Sequence, residues 1–509
     1  MNEFAATAPV RSSALLSASA QELRALLRIR LLQLSALAAL LASVGGIAFQ
    51  RKFCILDVDL WWHLKVGDWI CDHLAVPHTG ILSRTAANRP WVAYSWGYEV
   101  LLSRAYAWFG LLGIGVFGTL LTVAIAYAIY WMLFRLSRRY WLALGETAVV
   151  CWAFLFTGMP RPFFFSIILF CTILTLLLEA NRSGRMQPLY WLPLIFLAWT
   201  NLHIQFVYGL FVVGLFVAMN FVPRLASKAG IALDFLRAPM LPANSLVILF
   251  AACVFATLIG PNFYHPYFAV YEYSKAKFSY AVIIELQALN FRWSNHYVEL
   301  MLAAAAFFAV GWQKKLDLFK LALLTVACVV AFRTMRDAWF LCVVAAACIA
   351  DFPAPEAGSD PPESWLEKAG VAAAVAVLLL LLASALGFNQ REIDRAISAQ
   401  FPVNAINFLR RNPLPGPIYN NLNWGGFLMW YLPEYPVAID GRNDLYGDAL
   451  DKIFYASQSA EKSYTADPYL NQAGIVLLDS HLPLAKILTV DPRFELIYHD
   501  EIATVFARR

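Results

Sequence analysis

The chain has 509 residues, of which 60% are hydrophobic and only 14% charged, with a net charge of +5. Soluble globular chains are roughly half apolar and a quarter charged, so the composition excludes an ordinary soluble enzyme and indicates a polytopic membrane protein. So small a charge on so long a chain gives no support to a nucleic-acid partner, and none is expected.

Residues 1–30 are polar and then basic, an expected cytoplasmic segment. Ser19-Ala20-Gln21-Glu22 reads as a capping box that opens a short helix carrying Arg24, Arg28 and Arg30. The apolar run Leu31–Phe49 follows as the first span. The polar lead is long for a cleaved signal peptide.

Between this span and the next lies a loop, residues 50–108, that holds the most unusual stretch of the chain. It runs Asp57-Val58-Asp59-Leu60-Trp61-Trp62-His63-Leu64 and closes on Ser95-Trp96-Gly97-Tyr98-Glu99. Carboxylates can ligate a hard cation or act as general bases, and aromatic rings beside them suit a membrane interface or a sugar face. Trp62, Val66, Trp69 and Ile70 predict a helix over Leu60–Leu74 with one apolar face. On an extended segment Asp57 and Asp59 share one side and can reach one substrate or metal. With the helix, Asp59 becomes its N-cap and Asp57 projects freely, the arrangement favoured here, with Asp57 as base. His63 falls four residues after Asp59, on the same helix face, and Glu99 is a further candidate acid. Cys54 and Cys71 flank the stretch and form a disulfide only if it faces an oxidising compartment. The other six cysteines lie in apolar spans, and no zinc spacing is present.

Ten more spans are expected: Phe109–Phe134, Trp141–Gly158, Phe163–Ala180, Tyr190–Leu202, Phe206–Val222, Ser245–Ile259, Tyr297–Trp312, Leu318–Phe332, Ala338–Ala350 and Val371–Phe388. The total of about eleven places residues 31–388 in the membrane domain. Loops holding Arg135, Arg138 and Arg139, then Arg182 and Arg185, then Arg224, Lys228 and Arg237, then Lys314 and Lys315 fall on one side. The positive-inside rule makes that side cytoplasmic. Asp351–Glu367 is then a Pro-rich cytoplasmic linker.

On the opposite, extracytoplasmic side, span ends carry Arg161, His203, Glu285, Arg333 and Arg336. A charge beside an apolar span is costly unless it faces a cavity or a partner. Arginine matches phosphate oxygens in a two-pronged fork, so these groups are candidate binders of a lipid-phosphate substrate. Residues 389–509 turn soluble in composition and read as a small α/β domain. Strands are expected at Pro417–Tyr419, Val437–Ile439, Ile475–Leu478, Phe494–Tyr498 and Ile502–Phe506, and helices at Leu445–Ala456 and Leu482–Leu488. Asp440 and Arg442, at a strand end, sit where α/β domains bind ligands, although Asp440–Asp444 also suits an ordinary turn.

The pattern Asp57-x-Asp59-x-Trp61-Trp62-His63-Leu64-x-x-Gly67-x-Trp69-Ile70, then Pro77, Ser83-x-Thr85, Trp91 and Trp96-x-x-Glu99, resembles the first outer loop of bacterial GT-C-type membrane glycosyltransferase-like proteins. Arg161-Pro162, Trp199-x-Asn201-x-His203, Gly260-Pro261-Asn262, Ile284-Glu285, Arg333, Asn423-Trp424-Gly425-Gly426 and Ile439-Asp440-Gly441-Arg442 extend the likeness over nearly the whole chain. The resemblance implies a GT-C-like helical fold in a bacterial inner membrane. It implies transfer of a sugar from a polyprenyl-phosphate donor to a glycan, lipid or protein acceptor. It also implies an acidic residue of the first outer loop, Asp57 or Asp59, as base or as ligand of a divalent cation, Mg or Mn. One departure stands out: Gly80-Ile81-Leu82-Ser83 replaces the acidic residue these relatives carry after Pro77. The rival readings are a transporter of lipid-linked sugar or polysaccharide, and a non-catalytic assembly protein of the same fold.

Overall fold

The computed structural model describes residues 10–50, 53–155, 159–231, 233–237, 241–352, 363–385 and 390–509, with the backbone alone at 10–23, 53–54 and 384–385. Among the described residues, each expected span overlaps a helix. Among the described residues, five helices are long and apolar enough to cross a bilayer. They are Arg24–Gln50 (the apolar part of a helix that starts at Val10), Trp96–Ser137, Phe163–Ser183, Phe206–Lys228 and Trp365–Ala383. Tyr140–Leu155 and Ala243–Thr257 are shorter apolar helices beside them. The short helix expected to open at Ser19 does not exist as a separate element, because helix runs unbroken from Val10 to Gln50. Residues 353–362 of the expected linker lie outside those described.

Trp96–Ser137 begins well before the expected span because Trp96–Phe109 is helical too. The two parts meet at Gly110, whose φ of 59° and ψ of −147° interrupt the helix. Glycine reaches that conformation without a Cβ clash. The first part stays with the loop, and the second carries the apolar residues onward.

The helices bring charged groups together at both ends of the bundle. At the end away from the C-terminal domain, Arg135 grips Glu179 through two bonds of 2.8 Å. There too Lys320 meets Asp351 at 2.5 Å, Arg237 meets Asp317 at 3.7 Å, and Arg30 meets Glu367 at 2.7 Å. These pairs hold neighbouring helix ends in register. Asp317 also caps the Leu318–Arg333 helix by accepting from the Lys320 amide.

The C-terminal segment folds as expected into a small sheet with helices, in the order β1 (Ile418–Asn420), β2 (Ile475–Asp479), β4 (Ala503–Arg508), β3 (Phe494–His499). β1 and β2 are parallel, and the other neighbours antiparallel. Val437–Ile439 corrects one expectation: it adds no strand to this sheet. Val437 instead pairs with the first loop, donating to the Leu82 carbonyl and accepting from the Arg84 amide. The Ala438 amide is taken by Asn420 Oδ1. A β-prone run thus satisfies its backbone between two parts of the chain.

The same docking is sealed by aromatic residues. Trp61, on the Leu60–His73 helix, is fully buried against Phe401, Phe427 and Tyr431, with ring centroids 5.9, 5.0 and 5.3 Å away. Edge-on and tilted packing of this kind adds to the burial of a large ring. The first loop and the C-terminal domain therefore lie at one end of the bundle and form one body around the residues described next.

Candidate functional site

The site is built around Arg161, between the Tyr140–Leu155 and Phe163–Ser183 helices. Its Nε and Nη2 donate to Asp57 Oδ2 and Oδ1 at 2.7 and 2.8 Å, a two-pronged ion pair. Nη1 meets Asp59 Oδ2 at 3.0 Å and Glu285 Oε1 at 3.4 Å. Glu285 Oε1 is shared with Arg336 Nη2 at 3.2 Å. Three carboxylates thus face two guanidinium groups, and the corner keeps one negative charge in excess when all are ionised.

The surroundings of the two aspartates differ from those expected. Asp59 holds the N-cap position of the Leu60–His73 helix, but its side chain makes no capping bond. It accepts from the Trp62 indole at 3.1 Å and meets Arg161. Asp57 is the tied group. Besides the Arg161 fork, its Oδ1 takes the Asp59 amide at 3.1 Å, so both of its oxygens are engaged. Its side chain is 5% exposed, against 17% for Asp59. Asp57 therefore does not project freely. It anchors Arg161, and Asp59, held by Trp62 and Arg161, is the more exposed of the two. Burial pushes the Asp59 pKa up to about 6, Arg161 pulls the other way, and the Asp57 and Glu285 charges add to the rise. Burial also opposes the Arg161 charge, yet the Asp57 and Asp59 carboxylates outweigh it and hold its pKa well above the ordinary value.

His63 lies behind this pair. Its Nδ1 is 3.1 Å from Glu99 Oε1, and its ring stacks on Trp62 at 3.5 Å. Burial, followed by the nearby Arg161, holds the His63 pKa well below the usual range. Glu99 is 1% exposed and its Oε2 has no partner. Glu99, expected as a further candidate acid, is buried and meets the His63 ring. His203 is likewise neutral, its pKa lowered to about 3 by burial and then by Arg336, and it meets Ser166 at 2.9 Å.

Arg336 and Arg333 separate. Arg336 is half-buried and meets Glu285, which Arg336 in turn holds below the usual carboxylate range. Arg333 ends the Leu318–Arg333 helix with its guanidinium over the Tyr280 ring, 5.7 Å from the centroid. It makes no ion pair with the cluster among the described residues. The neighbouring Asp337 is fixed by Thr334 at 2.6 Å and Gln205 at 3.5 Å.

Asp440 and Arg442, expected as ligand binders, lie inside the fold and fasten it. Both are completely buried, paired at 2.7 and 2.8 Å, and sealed by the Tyr446 hydroxyl on Asp440 at 2.6 Å. Arg442 also donates to the Ile81 carbonyl at 3.0 Å and lies over the Trp91 ring. Trp91 bonds Asp444 at 3.0 Å. The turn between them touches the site, since a Cβ on Gly441 would fall 2.1 Å from Asp59 Oδ1. Only glycine allows the domain to close over that carboxylate. Gly80 has a comparable reason: a Cβ there would fall 2.2 Å from the Ala86 carbonyl, so the turn as folded has no room for a side chain at this position.

Sequence reading missed Trp62 as a partner of Asp59, because its spacing assigned it to an apolar face. It also missed Tyr446 and Ser166. The Asn201 and Asn262 motifs act as clamps: Asn201 accepts from Trp96 at 3.1 Å, and Asn262 donates to the Ala93 carbonyl at 3.0 Å. Cys71 is a free thiol, and the side chain of Cys54 lies outside those described. The divalent cation expected on Asp57 and Asp59 does not fit these residues as they stand. The Arg161 guanidinium sits among the oxygens a cation would take, and no group of three metal-ligating side chains exists among the described residues.

No family model and no curated protein matches the chain. Among solved structures it is similar to the oligosaccharyltransferase AglB of Archaeoglobus fulgidus. The form in complex with an inhibitory peptide and a dolichol-phosphate matches with a TM-score of 0.51 and 11% identity, over 88% of this chain and 69% of that one. The apo form matches with the same score and coverage and 12% identity. The chain therefore has the fold of a GT-C-type membrane glycosyltransferase. At this identity the likeness carries the fold and no further.

Proposed function

We propose that this chain is a membrane glycosyltransferase that moves a sugar from a polyprenyl-phosphate donor to an acceptor hydroxyl. Transfer takes place at the extracytoplasmic face of a bacterial inner membrane, the side of the C-terminal domain. The carrying observation is the corner where Asp59, partly accessible and held by Arg161 and Trp62, stands with Glu285 and Arg336 at the helix ends of a GT-C-type fold. The acceptor hydroxyl gives its proton to Asp59, and its oxygen bonds to C1 of the sugar. The bond from C1 to the phosphate oxygen breaks, and the phosphate leaves with the electron pair, its charge met by Arg336. Stabilising that charge is the larger catalytic contribution.

Two features support a lipid donor. An apolar groove of about 520 Å³ between the Phe206–Lys228 and Ala243–Thr257 helices, lined by Leu210, Phe211, Gly214, Phe250, Val254 and Tyr267, suits a hydrocarbon chain. Gln205, just before the first of these helices, reaches Asp337 beside Arg336. The AglB structure, itself in complex with a dolichol-phosphate, shares the fold.

The test is sugar transfer in proteoliposomes from a polyprenyl-phosphate-linked sugar. Arg336→Ala is expected to weaken donor use about ten- to a hundredfold, the loss of a charge-assisted contact of about 1.5–3 kcal/mol. Full donor affinity in that variant assigns Arg336 to structure alone. The pH profile is a second check. A general base must be ionised, so the rate should fall in proportion to acidity below about 6, the Asp59 value, and level off above it. A flat profile through that region removes Asp59 as base. Donor binding without transfer to any acceptor favours the non-catalytic assembly reading.

A further inference from the structure

We infer that Arg161 is the resident cation of this site and takes the place of a divalent metal ion. The inference rests on the proposed transferase reading for its meaning, but its test does not depend on transfer. Asp57, Asp59 and Glu285 converge from two separate parts of the chain, the first two from the first loop and the third from the segment before the Ser294–Gly311 helix. Converging carboxylates are the usual donors for a hard divalent ion. Here the point of convergence is filled by one guanidinium, with nitrogens 2.7 and 2.8 Å from the Asp57 oxygens, 3.0 Å from Asp59 and 3.4 Å from Glu285. A metal ion needs those same lone pairs, and the planar fork of Arg161 already takes both of Asp57's oxygens. Arg161 is fixed from behind as well: the Pro160 carbonyl next to it accepts from the Tyr98 hydroxyl at 3.0 Å, and the Arg161 carbonyl accepts from the Phe164 amide. It is therefore placed to act as a positioning residue, aiming Asp59 at the acceptor by a permanent charge where a dissociable ion would otherwise do so.

Manganese binding, read by electron paramagnetic resonance, and thermal melting test this on the full-length protein in detergent. Wild type is expected to leave Mn²⁺ free and to melt at the same temperature with Mn²⁺ or with chelator. Arg161→Lys, which keeps the charge, should also leave Mn²⁺ free. Arg161→Gln uncovers the three carboxylates, and it should bind Mn²⁺ and gain thermal stability from it, both effects disappearing when Asp57→Asn is added. Stoichiometric Mn²⁺ binding by wild type, abolished in Asp59→Asn, overturns the inference. So does a folded Arg161→Gln protein that binds no Mn²⁺. Where Arg161→Gln does not fold, the wild-type and Arg161→Lys measurements decide. A protein that transfers no sugar yet behaves this way toward Mn²⁺ refutes the transferase reading and leaves the cation assignment standing.

Discussion

Asp59→Asn is expected to abolish sugar transfer with little change in melting temperature, and Asp57→Asn to do the reverse. A positioned general base contributes about 10²–10⁴ in rate, and an amide cannot replace it. Asparagine at 59 still offers one oxygen to the Trp62 indole or to Arg161, so few native bonds are lost. At position 57 the balance differs. Both Asp57 oxygens serve Arg161, and the pair is mostly buried. Arg161 keeps Asp59 and Glu285 as counter-charges, so the loss should be about 1.5–3 kcal/mol, that of charge-assisted hydrogen bonds, below the cost of leaving a buried charge alone. A melting curve lowered by a few degrees, with residual transfer at the temperature of assay, is the expected result for Asp57→Asn. Wild-type transfer by Asp59→Asn would move the proton acceptor elsewhere in the cluster.

The second large effect is expected in the C-terminal domain. Arg442→Met leaves Asp440 buried with its charge and only the Tyr446 hydroxyl and the Arg442 backbone amide to meet it. About 3–5 kcal/mol should be lost. The bond to the Ile81 carbonyl and the contact with Trp91 go with the guanidinium. The first loop should then become sensitive to protease, and transfer should drop because Asp59 loses the turn that covers it. Adding Asp440→Leu removes the stranded charge and should recover much of the stability, since a buried pair replaced by apolar groups is often near neutral. Comparing the double variant with both singles separates the ion pair from the packing. An unchanged melting curve for Arg442→Met would mean that the cluster does not fasten the two parts together.

The Leu60–His73 helix was legible because Trp62, Val66 and Ile70 recur at helical spacing on its buried face. The site's location was legible for a related reason: Asp57, Asp59 and Glu99 stand out against an apolar background. The division of labour between the aspartates was not. It depends on Arg161, 104 positions along the chain from Asp57, and local capping rules say nothing of such a partner. Val437–Ile439 has the β-branched and aliphatic residues of a strand, but propensity cannot say whose edge the run will join. Asp440–Arg442 looks like an ordinary turn because its meaning lies in zero exposure, which no short window of residues reveals. The start of the long Trp96–Ser137 helix was hidden because Trp96–Phe109 is too polar to be counted as membrane, yet helical.

The bond from Arg442 to the Ile81 carbonyl joins residues 361 positions apart. Its consequence concerns biosynthesis. A ribosome makes residues 57–99 early, long before Arg161, Glu285 and the C-terminal domain exist. During that interval the first loop has neither its counter-charge nor its cover, and Trp61 has none of its three aromatic neighbours. Contacts so distant in sequence form late, so the loop waits for its C-terminal cover until residues 390–509 have been made. The complete site forms only after the C-terminal segment has been made and has docked on the first loop.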